Sequence, residues 1–344
     1  MMKSKWLILI LGLLALGPAR AGSQLFISTF TAVDLYQLNG VFLRSIATDA
    51  TKPNYFDLSV QGKTMWVYAQ ARDVLMRFDT ETGERLFTSR KISEDRLPGS
   101  ALQACDPKGL DDDHFIRLQE KTLIVKDGIP YLGFGKFGCV VRYNPDQDTF
   151  ETLLPIEKNP IDSYGIVSMA YGPNGHWFML SRGDYTVREF DDDGKEILRQ
   201  DINREGQPYM GPVLDKWYPS EAEMLIRPED MVFGPDNKLY IISVGTVAGY
   251  EQGPAVVKRY DVLSNPDKEA VFEGDFTHGF ALRYPKRMAF GPAPDYDLFI
   301  YDQGKQNIPD RIVRYDGRTG EYTKTIRTKL QLPNNIFIDN GESP

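Results

Sequence analysis

Six stretches of the chain share one plan, and that repetition limits the fold more than any other feature. They are VDLYQLNGVFLRSI (33–46), VLMRFDTETGERLFTS (74–89), VVRYNPDQDTFETLLP (140–155), TVREFDDDGKEILRQ (186–200), VVKRYDVLSNPDKEAVF (256–272) and RIVRYDGRTGEYTKTI (311–326). In each, a β-rich run reaches Tyr or Phe, passes through Asp, Asn and Gly, and then resumes alternating. Those are the marks of two strands joined by a hairpin turn. A second element precedes most of them. RPEDMVFGPDNKLYIIS (227–243) and YPKRMAFGPAPDYDLFIYD (284–302) match closely, and looser copies lie at 52–69, 121–135 and 166–181. Each unit thus predicts four antiparallel strands, A to D. Helical periodicity is absent between units, apart from a short helix expected near Pro219 to Leu225.

The termini complete the count. LPNNIFIDNG (332–341) reads as a strand A with nothing after it, and LFIST (25–29) as a strand B with no A before it. Joined, they make one complete sheet and close a ring. Such a ring of four-stranded repeats is an all-β, six-bladed β-propeller, expected as one domain over residues 22–344. The hexapeptide GFGKFG (133–138) fits a dinucleotide fingerprint by letter, but no helix follows it. It lies between two predicted strands and is read as a hairpin loop.

The FGPDNKLYI-type repeats resemble the NHL-like six-bladed propellers, a superfamily that includes gluconolactonase-type lactonases and streptogramin lyases. The resemblance spans nearly the whole chain after residue 21 and is specific for architecture. It implies a site in the central channel. Lactonases of this type hold a divalent cation there with Glu, Asn and Asp, and Glu229 or Asp230 with Asn335 or Asn54 would be the nearest imitation, with Ca²⁺ as the metal. The resemblance to the lyases implies channel histidines, and this chain has His114, His176 and His278. No zinc spacing and no Ser/His/Asp set is present, so no catalytic residue is assigned.

The first 21 residues carry Lys3 and Lys5, an apolar run from Trp6 to Leu16 and an Ala19-Arg20-Ala21 site. This is the grammar of a cleavable secretory signal, so a secreted or periplasmic protein is expected. The whole chain has 40 Lys plus Arg against 48 Asp plus Glu. Cleavage would remove three bases and no acid, leaving 37 against 48 and a net charge of −11. That balance repels nucleic-acid backbones. No later stretch is apolar enough to insert in a membrane, and a monomer is expected.

Two sets of connections emerge at opposite ends of such a blade. A-to-B and C-to-D turns are short (GPDN, GPNG, DTETG, DDDG, DGRTG), whereas B-to-C and D-to-A connections are long, at 91–119, 201–226, 244–255, 272–284 and 302–310. Long connections on a rigid scaffold concentrate binding residues, so the long-loop face is the expected functional face. Alignment of the A strands on their prolines places Tyr55, Asp230, Arg287 and Asn335 at one level around the channel mouth, with Lys121 and Ser168 from looser copies. Asn54, Glu229, Lys286 and Asn334 fall one step earlier. This set reads either as a polar-ligand site or as an Asp230–Arg287 pair lining a watery pore. His278 and the 201–226 loop, with Tyr209, Trp217 and Tyr218, add candidate contacts. A small molecule, glycan or protein is the expected ligand, with no cofactor; a metal-assisted lactonase, hydrolase or lyase is the alternative. The cysteines, Cys105 and Cys139, both fall on the long-loop face beside blade 3 and are expected to form a disulfide, against the alternative of two separate buried thiols.

Overall fold

The computed structural model describes residues 23–49, 51–92, 121–134, 139–154, 165–202, 207–215, 224–247, 250–251, 253–304, 308–326 and 335–339. The expected helix near Pro219 falls mostly outside them. Within them lie six four-stranded antiparallel sheets and two short hairpins. From channel to rim, blade 2 is Tyr55–Gln61, Thr64–Ala69, Val74–Asp79 and Arg85–Thr88, and blade 3 is Lys121–Lys126, Ile129–Phe134, Cys139–Asn144 and Thr149–Leu154. Blade 4 is Ile166–Tyr171, Trp177–Ser181, Val187–Phe190 and Glu196–Ile197. Blade 5 is Pro228–Phe233, Leu239–Ser243, Val256–Asp261 and Val271–Asp275, and blade 6 is Pro285–Phe290, Leu298–Asp302, Arg311–Tyr315 and Tyr322–Ile326. Each inner strand touches the inner strands of both neighbouring blades, and the sixth touches the first, so the ring is closed.

Blade 1 is built from both ends of the chain, as the repeat count predicts. Asn335–Asp339 forms its inner strand and pairs antiparallel with Gln24–Ser28, with Gln24 opposite Asp339 and Ser28 opposite Asn335. The sheet continues through Val33–Gln37 and Phe42–Ile46.

The recurrent aromatic-Asp turn has a local cause. Asp79 Oδ1 accepts the N–H groups of Glu81 and Thr82, Asn144 those of Asp146 and Gln147, Asp261 those of Leu263 and Ser264, and Asp316 those of Arg318 and Thr319. A side-chain oxygen of Asp or Asn two residues before free donors closes the turn and holds it tight. These hydrogen bonds keep the Asp79 and Asp316 carboxyls below their ordinary range. The aromatic residue just before turns inward: Tyr143, Tyr260 and Tyr315 are fully buried. Alternation then supplies the packing. Among the described residues the core divides into six clusters, one at each blade–blade interface.

GFGKFG is a hairpin connection. Phe134 pairs with Cys139 across two antiparallel strands, and the four residues between them lie outside the described set. Two expectations about connections need correction. The outer strand of blade 5 is Val271–Asp275, so the long connection begins at Phe276 and not at Phe272. The 201–226 segment is not all loop: Arg199–Ile202 pairs with Pro208–Gly211 in a hairpin inserted beside blade 4. The chain then returns, and Leu214 bridges Val187 of the third strand, extending the outer edge that Glu196–Ile197 begins. The insertion is anchored by Arg199, fully buried, which donates to Glu189 of blade 4 and to the Val262 and Lys268 carbonyls of blade 5.

Candidate binding site at the channel mouth

The inner strands begin at the long-loop face, and most carry a β-bulge there: between Tyr55 and Asp57, Ile166 and Ser168, Pro228 and Met231, and Pro285 and Arg287. A bulge re-aims the side chains beside it. Here it also fixes the true alignment. Tyr55 is equivalent to Pro228 and Pro285, not Pro53, so the level predicted for Tyr55 belongs to Asp57. The residue preceding the strand supports this register, because Asn54, Gly165 and Arg227 all have left-handed backbone, with φ of 52°, 24° and 52°. Tyr55 itself is buried in the core between blades 1 and 2, edge-on to Phe78. Lys121 shifts in the same sense: Thr122, opposite Gly133, takes its level, and Leu123 answers to Met288.

At that level two aspartates of blades 2 and 5, opposite each other in the ring, make matching sets of hydrogen bonds. Asp57 accepts from the Leu123 N–H of the next blade at 2.8 Å and from Asn335 Nδ2 of the previous blade. Asp230 accepts from the Met288 N–H of the next blade at 2.8 Å and from Ser168 Oγ of the previous blade at 2.7 Å. Each carboxylate therefore stitches three blades, and the two sets repeat with twofold likeness. Burial raises both carboxyls, Asp57 to about 6, while Arg287 on blade 6 holds each lower than burial alone would. The Arg287 guanidinium itself donates to the main-chain oxygens of Glu229 at 2.9 Å and Lys286 at 3.3 Å.

One step nearer the face, Glu229 is buried at 1% exposure and gathers cations from three blades. Arg182, just after the second strand of blade 4, donates to Oε2. Arg227, preceding blade 5, donates to Oε1 at 3.2 Å, and Lys286 of blade 6 donates to the same Oε1 at 3.0 Å. Arg227 and Lys286 also lie over the Tyr284 ring, at 4.8 and 4.1 Å. Burial, with repulsion from Arg182 and Arg227, outweighs the attraction of Glu229 and brings the Lys286 ammonium down to about 8.

Of the expected site residues, the structure brings Ser168, Glu229, Asp230, Lys286, Arg287 and Asn335 to the channel, and adds Asp57, Arg182 and Arg227. His278 is elsewhere: it is exposed, and its backbone bridges Gly320 and Tyr322 at the rim of blade 6. His176 lies in an A-to-B turn, bonded to Glu189 at 2.7 Å. Tyr209 sits on the inserted hairpin with its hydroxyl on Asp201 and Asp215. Trp217, Tyr218, His114, Asn334 and Cys105 lie outside the described residues. Asn54 bonds Gln70 and does not join Glu229.

A divalent cation does not fit here. Both Glu229 oxygens already face ammonium or guanidinium groups, and both Asp230 oxygens accept hydrogen bonds, so Ca²⁺ would meet the charge of Arg182, Arg227 and Lys286 without a free carboxylate. Among the described residues no group of three His, Cys, Asp or Glu is placed to hold a metal.

No protein-family model and no curated protein sequence matches the chain. Among solved structures it is similar to a chain of a nidogen/laminin complex, with TM-score 0.58 and 11% identity over 94% of this chain and 99% of that one. It is also similar to a protein of unknown function from Bacteroides caccae, with TM-score 0.56 and 11% identity over 92% of this chain and 99% of that one. At this identity the likeness shows the β-propeller fold alone.

Proposed function

We propose that the protein is an exported binding propeller that captures a ligand, most simply another protein, at the channel mouth on its long-loop face. The observation that carries this reading is the Glu229 cluster: four charged side chains from three blades meet there, still partly open to solvent at Arg227 and Lys286. A purely structural ion pair needs one cation per carboxylate, and desolvating further charges costs stability. The structural neighbour in a nidogen/laminin complex is a propeller found with a protein partner, which supports a protein ligand here. Export is supported by the N-terminal sequence and by the cysteines. Cys139 is fully buried at the start of its strand, there is no free cysteine among the described residues, and Cys105 is its proposed disulfide partner. A lactonase or lyase reading of the NHL-like resemblance finds no support in the donor set.

The test places a photoreactive amino acid at exposed positions of the two faces. Ala71 and Pro254 lie on the long-loop face, and Asp193 and Pro235 on the short-turn face. Irradiation with an envelope extract of the producing cell should give a discrete adduct from the first pair. Adducts confined to the second pair would overturn the proposal.

A further inference from the structure

We infer that the group recognised at the mouth is a carboxylate of the ligand, held beside Glu229 by Arg227 and Lys286. This inference deepens the binding reading and rests on it for the choice of face. The cations around Glu229 are unequally shared between its two oxygens. Arg227 and Lys286 both donate to a single oxygen, Glu229 Oε1, while Oε2 is taken by Arg182. Glu229 is therefore shared by three cations among the described residues. Arg227 commits only its Nε to that oxygen, which leaves its Nη edge and two Lys286 N–H groups without a hydrogen-bond partner among the described residues. A planar guanidinium edge beside an ammonium is complementary to a planar oxyanion, which it grips with two parallel bonds. Glu229 shows that the cluster already accommodates that shape. The Tyr284 ring beneath both cations fixes their positions and shields one side from water.

The backbone reinforces the placement. Arg227 precedes Pro228 and has φ of 52°, a left-handed conformation that a branched or long side chain rarely adopts. Asn54 and Gly165 hold the equivalent positions, and both residue types enter that region readily. Arginine at the third is explained by its side chain, not by its backbone. Burial first, and repulsion from Arg182 and Arg227 after it, lower the Lys286 ammonium, and that repulsion is what an incoming anion would relieve.

The source of the carboxylate is either a free sugar acid or an acidic side chain of a protein, and calorimetry separates them. Sodium acetate, sodium galacturonate and a capped tetraglutamate peptide are titrated into the full chain at constant ionic strength, with sodium chloride as the control. Saturable 1:1 binding is expected, tightest for galacturonate if the source is a free acid and for the peptide if it is a side chain. Arg227→Asn, which suits the left-handed backbone, should weaken it about a hundredfold, the loss of two charge-assisted hydrogen bonds, without lowering the melting temperature. Glu229→Gln removes the internal competitor and should tighten it; a cluster that only pairs charges would show no such gain. Should Glu229→Gln fail to fold, Arg227→Asn decides. Heats that do not saturate, or equal affinity in Arg227→Asn, would overturn the inference. Long-loop adducts without carboxylate binding would sink this inference alone, whereas carboxylate binding with adducts only from the short-turn face would sink the choice of face.

Discussion

Asp57→Asn should change how stability depends on pH. In the folded protein the Asp57 carboxyl is buried and raised from 3.8 to about 6, with desolvation as the main cause and Arg287 opposing it. A carboxyl whose folded value lies above its unfolded value binds its proton more tightly in the folded state. Its contribution is therefore fully present below the unfolded value and is lost as pH climbs through about 6. The shift of about two units corresponds to about 3 kcal/mol, of which about 2.5 kcal/mol falls between pH 4 and pH 7.5. Asparagine has nearly the same shape and does not titrate. Its stability relative to wild type should accordingly rise by about 2.5 kcal/mol across that range, whatever constant offset arises from placing an amide against the Leu123 or Leu58 N–H. Urea unfolding at a series of pH values measures both proteins, and the difference between them cancels the titration of every other group. A difference that stays flat from pH 4 to 7.5 would refute the placement of a buried, hydrogen-bonded carboxylate in the channel wall.

Three further outcomes follow from the same geometry. Arg287→Met removes the charge that lowers Asp57 and Asp230, so both should retain protons to higher pH, seen by NMR as an upward shift of the carboxyl titrations; unchanged midpoints would place Arg287 too far away. Deleting residues from Leu332 onward strips blade 1 of its inner strand and exposes two sheet edges, giving aggregation; a soluble protein with an unchanged melting temperature would contradict the ring. Non-reduced peptide mapping should join Cys105 to Cys139, closing a loop of about 35 residues whose cross-link contributes about 4 kcal/mol in the chain-entropy model, and two alkylatable thiols would refute the bridge.

The fold was legible because its grammar is local. The Tyr-Asp and Phe-Asp turns carry their own hydrogen bonds, and the lone strand at 332–341 could be completed only by the other terminus. The site was less legible for two physical reasons. A bulge heads four of the inner strands, and Pro53 stands two residues before its strand whereas Pro228 and Pro285 begin theirs, so alignment on proline puts Tyr55 where Asp57 stands. The cations around Glu229 come from three blades, and Arg182 lies far from Arg227 in sequence. SRGD and RPED gave no joint signal until the ring brought the second strand of blade 4 beside the first of blade 5. The insertion at 199–211 was hidden because its anchor, Arg199, looks like a surface arginine until Glu189 and two carbonyls of the next blade surround it.

The central claim, that the long-loop face at the channel mouth is the binding surface, is tested most directly by hydrogen–deuterium exchange with and without the partner recovered through the cross-link. Exchange should slow in peptides spanning 182–187, 224–230 and 282–288, with the short turns at 191–195, 234–238 and 316–320 unaffected. Protection of the short turns, with the three mouth peptides unchanged, would contradict it.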